Sequence, residues 1–250
     1  MSASELSPFF EERYAEVSEY LAFLQEIEKA AQSGIPRIAG VNYRITVKQQ
    51  RILYSSLYLQ LYNLVEATVA RCISAITEAA ETAGQWQPHQ LNDELLREWV
   101  RSTARTHADM APEARLKYAM DLGERIVKQL PVNGFLIESG GGGNWDDEAI
   151  YDMGKRLGCS ITITAETRSL VKRPMRDDLG SMKLVKNRRN DLAHGSISFV
   201  ECADTVTVDE LCRTANSVEK YLREVIDCFV RFVDSYDFLR PSFRPNGGAP

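Results

Sequence analysis

A long stripe of apolar residues near the end of the chain places the strongest limit on the fold. The stripe follows Thr207 and Glu210, whose spacing matches a capping box at a helix start. Its members recur every three or four residues: Leu211, Ala215, Val218, Leu222, Val225, Phe229, Phe232 and Tyr236. Because a continuous heptad stripe must be buried, this helix needs partner helices along its length.

Two earlier segments carry matching stripes. In the first, Ser7-Pro8 supplies an N-cap and a first-turn proline, and the helix should end near Gly34-Ile35-Pro36. In the second, Thr46 and Gln49 form a capping box for a helix that runs to about Ala83, roughly 57 Å long. The first stripe is Phe10, Tyr14, Val17, Leu21 and Leu24, and the second is Tyr54, Tyr58, Leu61, Val65, Cys72, Ile76 and Ala79. The sequence therefore predicts an all-α, antiparallel helical bundle, with a second chain able to share the burial.

Shorter elements fill the space between the long helices. Helices are predicted at Asn92 to Thr106, Pro112 to Gln129 and Asp146 to Leu157. Weak alternation over Cys159 to Thr164 and Ser196 to Val208 suggests short strands or one short β-hairpin. We expect a single domain over 1–250, with an N-terminal helix pair (1–84), a helical insertion (85–139), a motif-bearing part (140–240) and a flexible tail (241–250).

The composition is typical of a folded, soluble protein. Of 250 residues, 44% are hydrophobic, yet there is no run of about 18 apolar residues and no signal-peptide pattern after Met1. We therefore expect a cytoplasmic protein without a membrane segment. The five cysteines are odd in number and lack C-x-x-C spacing, which predicts reduced, mostly buried thiols and no metal site or cofactor.

The segment from Lys186 to Gly195 concentrates the polar chemistry of the chain. It reads Lys-Asn-Arg-Arg-Asn-Asp-Leu-Ala-His-Gly. Arg189 offers a guanidinium suited to a phosphate, and His194 is the residue type that titrates nearest neutrality. Gly195 is a natural helix C-cap that would leave the imidazole exposed, while Met182, Val185 and Leu192 would anchor the helix. The combination indicates phosphodiester chemistry that needs no metal.

Charge is unevenly distributed around this segment. The formal net charge of −5 argues against nucleic-acid binding, but Arg168 to Arg189 holds eight basic residues and two acidic ones, a local +6. We expect Lys183, Lys186 and Arg188 to hold a phosphate backbone.

An Arg before a His at this spacing is expected by chance in such a chain, and a second instance exists. Arg101 precedes His107 by six residues, without an amide or carboxylate side chain after the first Arg and without a basic flank. We discount that pair, and His89, which follows Pro88 in a turn. The glycine-rich stretch from Ser139 to Asn144 lacks a P-loop pattern and is interpreted as a loop.

The sequence Arg-Asn-Asp-Leu-Ala-His-Gly resembles the R-x4-6-H signature of the HEPN superfamily, whose members are all-helical and many of which are ribonucleases. The resemblance covers about residues 140 to 240, from Gly143-Asn144-Trp145 through Leu157-Gly158 and Ser198-Phe199 to the terminal helix. It implies a metal-independent endoribonuclease of the toxin or antiviral-defence class that acts as a homodimer. Attack by the RNA 2′-hydroxyl would leave a 2′,3′-cyclic phosphate.

The residue chemistry is compatible with these implications. On an ideal helix Arg189 and His194 point about 140° apart, so two subunits would bring the Arg of one toward the His of the other. His194 would be the general acid or base and Arg189 would stabilise charge on the phosphate. Asn190 lies one turn before His194 and could orient its ring or bind a phosphate oxygen. Asp191 could orient a His or support the helix end.

Two alternatives and one departure from the family pattern complete the prediction. Some HEPN toxins have a Tyr two residues after the His that an antitoxin modifies, whereas this chain has Ser196. An antitoxin or sensor protein encoded nearby remains an expected partner. The runner-up is a non-catalytic HEPN-like module that binds RNA or a partner protein. A metal-dependent nuclease is disfavoured because the side chains of adjacent pairs such as Asp146-Asp147 and Asp177-Asp178 diverge.

Overall fold

A computed structural model describes residues 3–38, 40–41, 43–81, 85–106, 109–138 and 144–245. In this part of the chain the secondary structure is almost entirely helical, which confirms the all-α prediction. The helices are α1 (Leu6–Gln32), α2 (Val47–Glu81), α3 (Asp93–Ala104), α4 (Pro112–Val127), α5 (Asp147–Leu157), α6 (Ala165–Lys172), α7 (Ser181–Ala193), α8 (Phe199–Cys202) and α9 (Val208–Asp234). A two-stranded antiparallel ribbon joins α1 to α2, with β1 at Arg37–Ile38 and β2 at Tyr43–Arg44.

The three long helices form the core, as their stripes predict. Helices α1, α2 and α9 pack against one another, and α7 and α8 pack on α2. All the positions predicted for the α9 stripe are buried except Tyr236, which is half-buried. The packed side chains at the centre include Leu24, Leu57, Leu61, Leu222 and Val225, each with no exposed surface. These stripes therefore meet within one chain.

The predicted helix starts are correct at two of the three long helices. Thr46 and Gln49 form the expected reciprocal capping box at α2. At α9, Thr207 accepts from the Glu210 amide, but the Glu210 carboxylate binds Arg176 instead of closing the box. The Ser7 cap is wrong, because a 3-10 turn at Ala3–Glu5 leads directly into α1 at Leu6.

The strand prediction is also wrong in position. Cys159 to Thr164 forms no strand: its Thr162 contacts Cys228 of α9, and no neighbouring strand pairs with the segment in the described chain. The second segment contains α8, because Ser198 and Glu201 form a capping box. The only ribbon among the described residues is β1–β2. Helix α6, capped by Thr164, was not predicted.

Several other predictions are confirmed, and two of the segments discussed above lie outside the described residues. Helices α3, α4 and α5 match the three predicted short helices to within two residues at each end. All five cysteines are free thiols, and four of them are buried. Pro241–Phe243 forms a 3-10 turn whose Phe243 ring contacts His89. The glycine-rich stretch at 139–143 and His107 lie outside the described residues. Within the described chain, no helix has the length and apolar character needed to cross a membrane.

Candidate active site

Helix α7, which carries the Arg/His motif, is fixed at its start by buried contacts. Ser181 and Ser217 of α9 share a hydrogen bond of 2.7 Å between their hydroxyl oxygens. Gly180 lies so close to the Val171 carbonyl that a Cβ would be 2.3 Å from its oxygen, so no other residue fits. The predicted anchors Met182, Val185 and Leu192 are all buried, as expected. The helix is therefore rigidly placed against α2 and α9.

The end of α7 leaves His194 exposed. Gly195 adopts φ +70°, the Gly195 amide donates to Leu192 and the Ser196 amide donates to the Asp191 carbonyl, 2.9 Å away. These are the two bonds of a Schellman motif, so the predicted glycine C-cap is confirmed. Within the described chain the His194 imidazole makes no hydrogen bond and no ion pair. The ring is thus available to a ligand or to a second subunit.

Gly195→Ala is expected to lower the free energy of unfolding by about 1 kcal/mol, because a Cβ is disfavoured at positive φ. There is open space around the position, so the cost would be conformational only. Gly123→Ala is the matched control: Gly123 lies inside α4 without positive φ, and alanine there should stabilise the protein. Urea denaturation measures both changes. A Gly195→Ala protein as stable as the parent would contradict the assigned cap.

Arg189 is held away from His194 by residues of α2. Its guanidinium carbon lies 4.3 Å from the centre of the Tyr62 ring, and Nη2 lies 3.5 Å from the Glu66 carboxylate. Tyr62 is itself buried and accepts a hydrogen bond of 3.0 Å from the Trp145 amide. The Arg189 side chain remains partly exposed, with 26% of its surface accessible. It is therefore an anchored cation with one open side.

Asn190 orients Arg189 rather than the His194 ring. The Asn190 Oδ1 accepts from Arg189 Nη1 at 2.9 Å, and its Nδ2 donates to Asn144 Oδ1 at 2.8 Å. The expectation that Asn190 orients His194 is corrected within one protomer, because its side chain lies between Arg189 and the segment before α5. Only its carbonyl contacts His194, accepting from the His194 amide. Asp191 supports the helix end through its carbonyl, and its carboxylate makes no hydrogen bond to the described residues.

The described residues of one protomer do not join Arg189 and His194 by any hydrogen bond, as their angular separation on the helix predicts. Sequence reasoning missed the residues that position Arg189, namely Tyr62, Glu66 and Asn144. The available signal was weak: Tyr62 and Glu66 are one turn apart on α2, beside its apolar stripe, where they look like ordinary flanking residues.

The basic segment before the motif is largely neutralised. Five of its eight cations form ion pairs with carboxylates of α2, α9, the start of α5 and its N-cap residue, or the turn before α7. These five are Lys172, Arg176, Lys186, Arg188 and Arg189. Lys183, Arg168 and Arg173 are exposed and make no ion pair within the described chain. The local +6 counted from the sequence is therefore largely balanced by carboxylates, most of them from other elements.

Two predicted RNA-binding residues are among those paired. Lys186 binds the carboxylate of Asp146, which also caps α5 by accepting from the Ala149 amide. Arg188 binds Asp177, which a tight turn with positive φ at Asp177 and Asp178 brings toward α7. Lys183 has the freest ammonium of the three, and RNA contact by all three stays a prediction.

The Asp146 and Lys186 pair should make stability depend on pH. Burial alone would raise the pKa of Asp146, but the Lys186 ammonium and the Ala149 amide outweigh it and hold the pKa below its usual value. A lowered pKa stabilises the fold above about pH 4, and this contribution is lost as pH falls through the folded-state pKa.

Asp146→Asn should therefore reduce the free energy of unfolding by about 1.5–3 kcal/mol near neutrality, and the difference from the parent should close in acid. Asparagine keeps the helix cap, so the change isolates the charge. The exposed pair of Asp209 with Arg213 provides the control, since Asp209→Asn should have a small effect. Urea denaturation over a pH series measures both. If the unfolding free energies of Asp146→Asn and the parent still differ at the acid end of the series, the charge of Asp146 is not the source of the stabilisation.

Among the residues that the structure describes, which exclude His107, the other predicted groups form no second site. Arg101 of the discounted pair binds the buried Glu98 at 2.7 Å. Among the described residues, no three His, Cys, Asp or Glu side chains cluster as a metal would require.

Comparison with known proteins identifies the family of this chain. No curated protein and no solved structure matches the chain. A family model described as HEPN, MAE_28990-like, matches residues 2–238 and thus nearly the whole length. The match includes the three long helices, the ribbon and the Arg189–His194 motif. By this match, the chain belongs to the MAE_28990-like HEPN family of the HEPN superfamily.

Proposed function

We propose that this protein is a metal-independent endoribonuclease whose reacting groups are His194 and Arg189. The observation that carries the proposal is their arrangement on α7 of a HEPN protein. Arg189 is anchored by Tyr62, Glu66 and Asn190, while the His194 ring is exposed and free of partners within the described chain. A fixed cation and an accessible acid–base group are the two components needed for phosphodiester transfer.

The reaction begins at a ribose 2′-hydroxyl. The 2′-oxygen loses its proton to a general base and forms a bond to the adjacent phosphorus, while the bond from phosphorus to the 5′-oxygen breaks. The 5′-oxygen leaves with a proton, and the products are a 2′,3′-cyclic phosphate and a 5′-hydroxyl. His194 acts as the base or the acid, and Arg189 stabilises the charge that develops on the phosphate oxygens. Dependence on the 2′-hydroxyl restricts the substrate to RNA.

A homodimer completes the site in this proposal. Within one protomer the Arg189 guanidinium is directed to α2, whereas His194 lies at the end of α7. A two-fold axis near the ends of two α7 helices would place the Arg189 of one subunit and the His194 of the other on one cleft. In this arrangement Asn190 positions Arg189 and so contributes to phosphate binding. Lys183 would hold the RNA backbone next to the cleft, with Lys186 and Arg188 behind it.

The biological role we propose is a toxin or antiviral-defence effector acting in the cytoplasm. A free ribonuclease would damage its host, so a neighbouring antitoxin or sensor protein would control it. Ser196 stands where some HEPN toxins have a tyrosine that their antitoxin modifies, so control would operate by protein contact and not by modification of that residue.

A non-catalytic HEPN-like module that binds RNA or a partner protein is the second candidate. This alternative is favoured by the contacts of the Arg189 guanidinium, which already binds Glu66 and Asn190. A phosphate would have to use the open side of the guanidinium or displace Glu66.

Cleavage of RNA in excess EDTA distinguishes the two. The endoribonuclease should remain active in EDTA, leave 2′,3′-cyclic phosphate ends, and fail on an oligonucleotide whose scissile ribose is 2′-deoxy. Binding of RNA without cleavage under any of these conditions would favour the non-catalytic module. Loss of cleavage on chelation would exclude the proposed mechanism.

A further inference from the structure

The β1–β2 ribbon is an exposed element that the proposed chemistry does not use. All four strand residues are exposed, including the large side chains of Ile38 and Tyr43, which pair directly across the ribbon. Val41 at the turn is 69% exposed. A two-stranded ribbon has little stability of its own, so its shape depends on how it is attached to the rest of the protein.

The base of the ribbon is fixed to the start of α2. The Ile45 amide donates to the Pro36 carbonyl at 2.8 Å, which extends the pairing beyond the two strands. Gln49 of α2 closes the capping box with Thr46 and also donates to the Tyr43 hydroxyl at 2.6 Å. The Tyr43 ring is therefore held in one orientation while 49% of the residue remains exposed.

The charge of this region has one sign. From Lys29 to Val65 the sequence contains no Asp or Glu, although the chain holds 35 of them, and it contains five basic residues: Lys29, Arg37, Arg44, Lys48 and Arg51. Arg37 and Arg44 lie directly opposite each other in the ribbon, so two of these cations meet at one place on its surface. Arg51 is paired with Asp204, whereas Arg44 and Lys48 are exposed and make no ion pair within the described chain.

The ribbon and the candidate active site are attached to the same helix. Tyr62, which holds Arg189, is 15 residues after Val47, which corresponds to about 22 Å along α2. Between these points Ser55 donates to the carbonyl of Phe199 in α8, so the chain that follows His194 runs along α2 toward the ribbon. The segment that follows His194 thus contacts α2 between the candidate active site and the ribbon.

We infer that the ribbon surface, formed by Tyr43, Arg44 and Lys48, binds single-stranded RNA that extends from the active site. Arginine and lysine contact phosphates, and the fixed Tyr43 ring stacks on a base, the combination that single-strand binding requires. The inference rests on the proposed function for the identity of the polymer as RNA. It assigns to the ribbon the role of holding a long substrate, separate from the cleavage step.

Binding is measured with a labelled single-stranded oligoribonucleotide and the full chain carrying His194→Ala, so that the RNA stays intact. In this background Arg44→Gln with Lys48→Gln should weaken binding and lower the slope of log K against log salt by about 1.4. Tyr43→Ala should weaken binding by a factor between about 5 and 150, and Tyr43→Phe should retain most of the affinity. Arg44→Lys should preserve the salt slope. Circular dichroism checks that each variant folds.

The matched control removes two exposed cations elsewhere, with Arg115→Gln and Lys117→Gln on α4, and should leave RNA binding unchanged. Unchanged affinity and salt slope in the ribbon variants would overturn the inference, as would an equal loss in the α4 control. In the His194-containing protein, the ribbon variants should cleave a dinucleotide at the parental rate and long RNA with a raised KM. If the parent cleaves no RNA yet binding depends on the ribbon, the proposed function fails and the ribbon assignment stands.

Discussion

Replacing His194 by alanine is expected to lower kcat for RNA cleavage by a factor of about 10² to 10⁴, the usual contribution of a general acid or base. KM should change little, because the exposed imidazole is assigned a role in proton transfer and not in binding. The fold should tolerate the change for the same reason. His89→Ala is the matched control: its ring contacts Phe243, far along the chain from the motif, and cleavage should continue at the parental rate.

Arg189→Ala should also abolish most activity, and the two inactive proteins together test the composite site. If each site takes Arg189 from one subunit and His194 from the other, a mixed dimer has one intact site and one doubly defective site. With equal amounts and free exchange, about one quarter of the parental activity should return. No recovery after verified subunit exchange would place both groups within a single chain or remove one of them from the reaction.

The long helices could be predicted from the sequence because their signal is local. The apolar stripes of α1, α2 and α9 are periodic. The caps at Thr46 and Thr207 are recognisable because the two residues of each pattern are only three positions apart in the sequence. The same reasoning failed for Cys159 to Thr164, since alternation shows which side chains are buried but not whether another strand lies alongside. That segment contacts Cys228 of α9 instead, and only Cys159 and Ile161 in it are buried.

The candidate site was only half predictable. Arg189, His194 and the Gly195 cap lie in one short segment, so the sequence identifies them together. The partners that orient Arg189 are Tyr62 and Glu66, more than 120 residues earlier, and this contact arises only when α7 packs on α2. The basic flank shows the same limit, because counting its charges could not reveal the carboxylates that neutralise Lys186 and Arg188.

Glu98 shows how a distant ion pair can stabilise the surroundings of the site. Its carboxylate is almost fully buried and accepts hydrogen bonds from Arg156 of α5, at 2.9 Å from Nε, and from Arg101, at 2.7 Å. Arg156 also donates to the Glu138 carbonyl. Because Glu98 lies in α3, this contact joins the predicted helical insertion to α5. The segment before α5 in turn carries Asn144 and Asp146, which contact Asn190 and Lys186 of α7.

Glu98→Ala is therefore expected to lower the free energy of unfolding by about 3–5 kcal/mol, because it leaves the partly buried Arg156 guanidinium without its counter-ion. Glu124→Ala on α4 is the matched control: its pair with Lys128 is exposed on both sides, so its removal should cost no more than about 0.5 kcal/mol. Urea denaturation of the two variants measures the difference. A Glu98→Ala protein no less stable than the control would show that this carboxylate does not join α3 to α5. Helix α5 would then depend on Asp146 and its own apolar face for its position beside the motif helix.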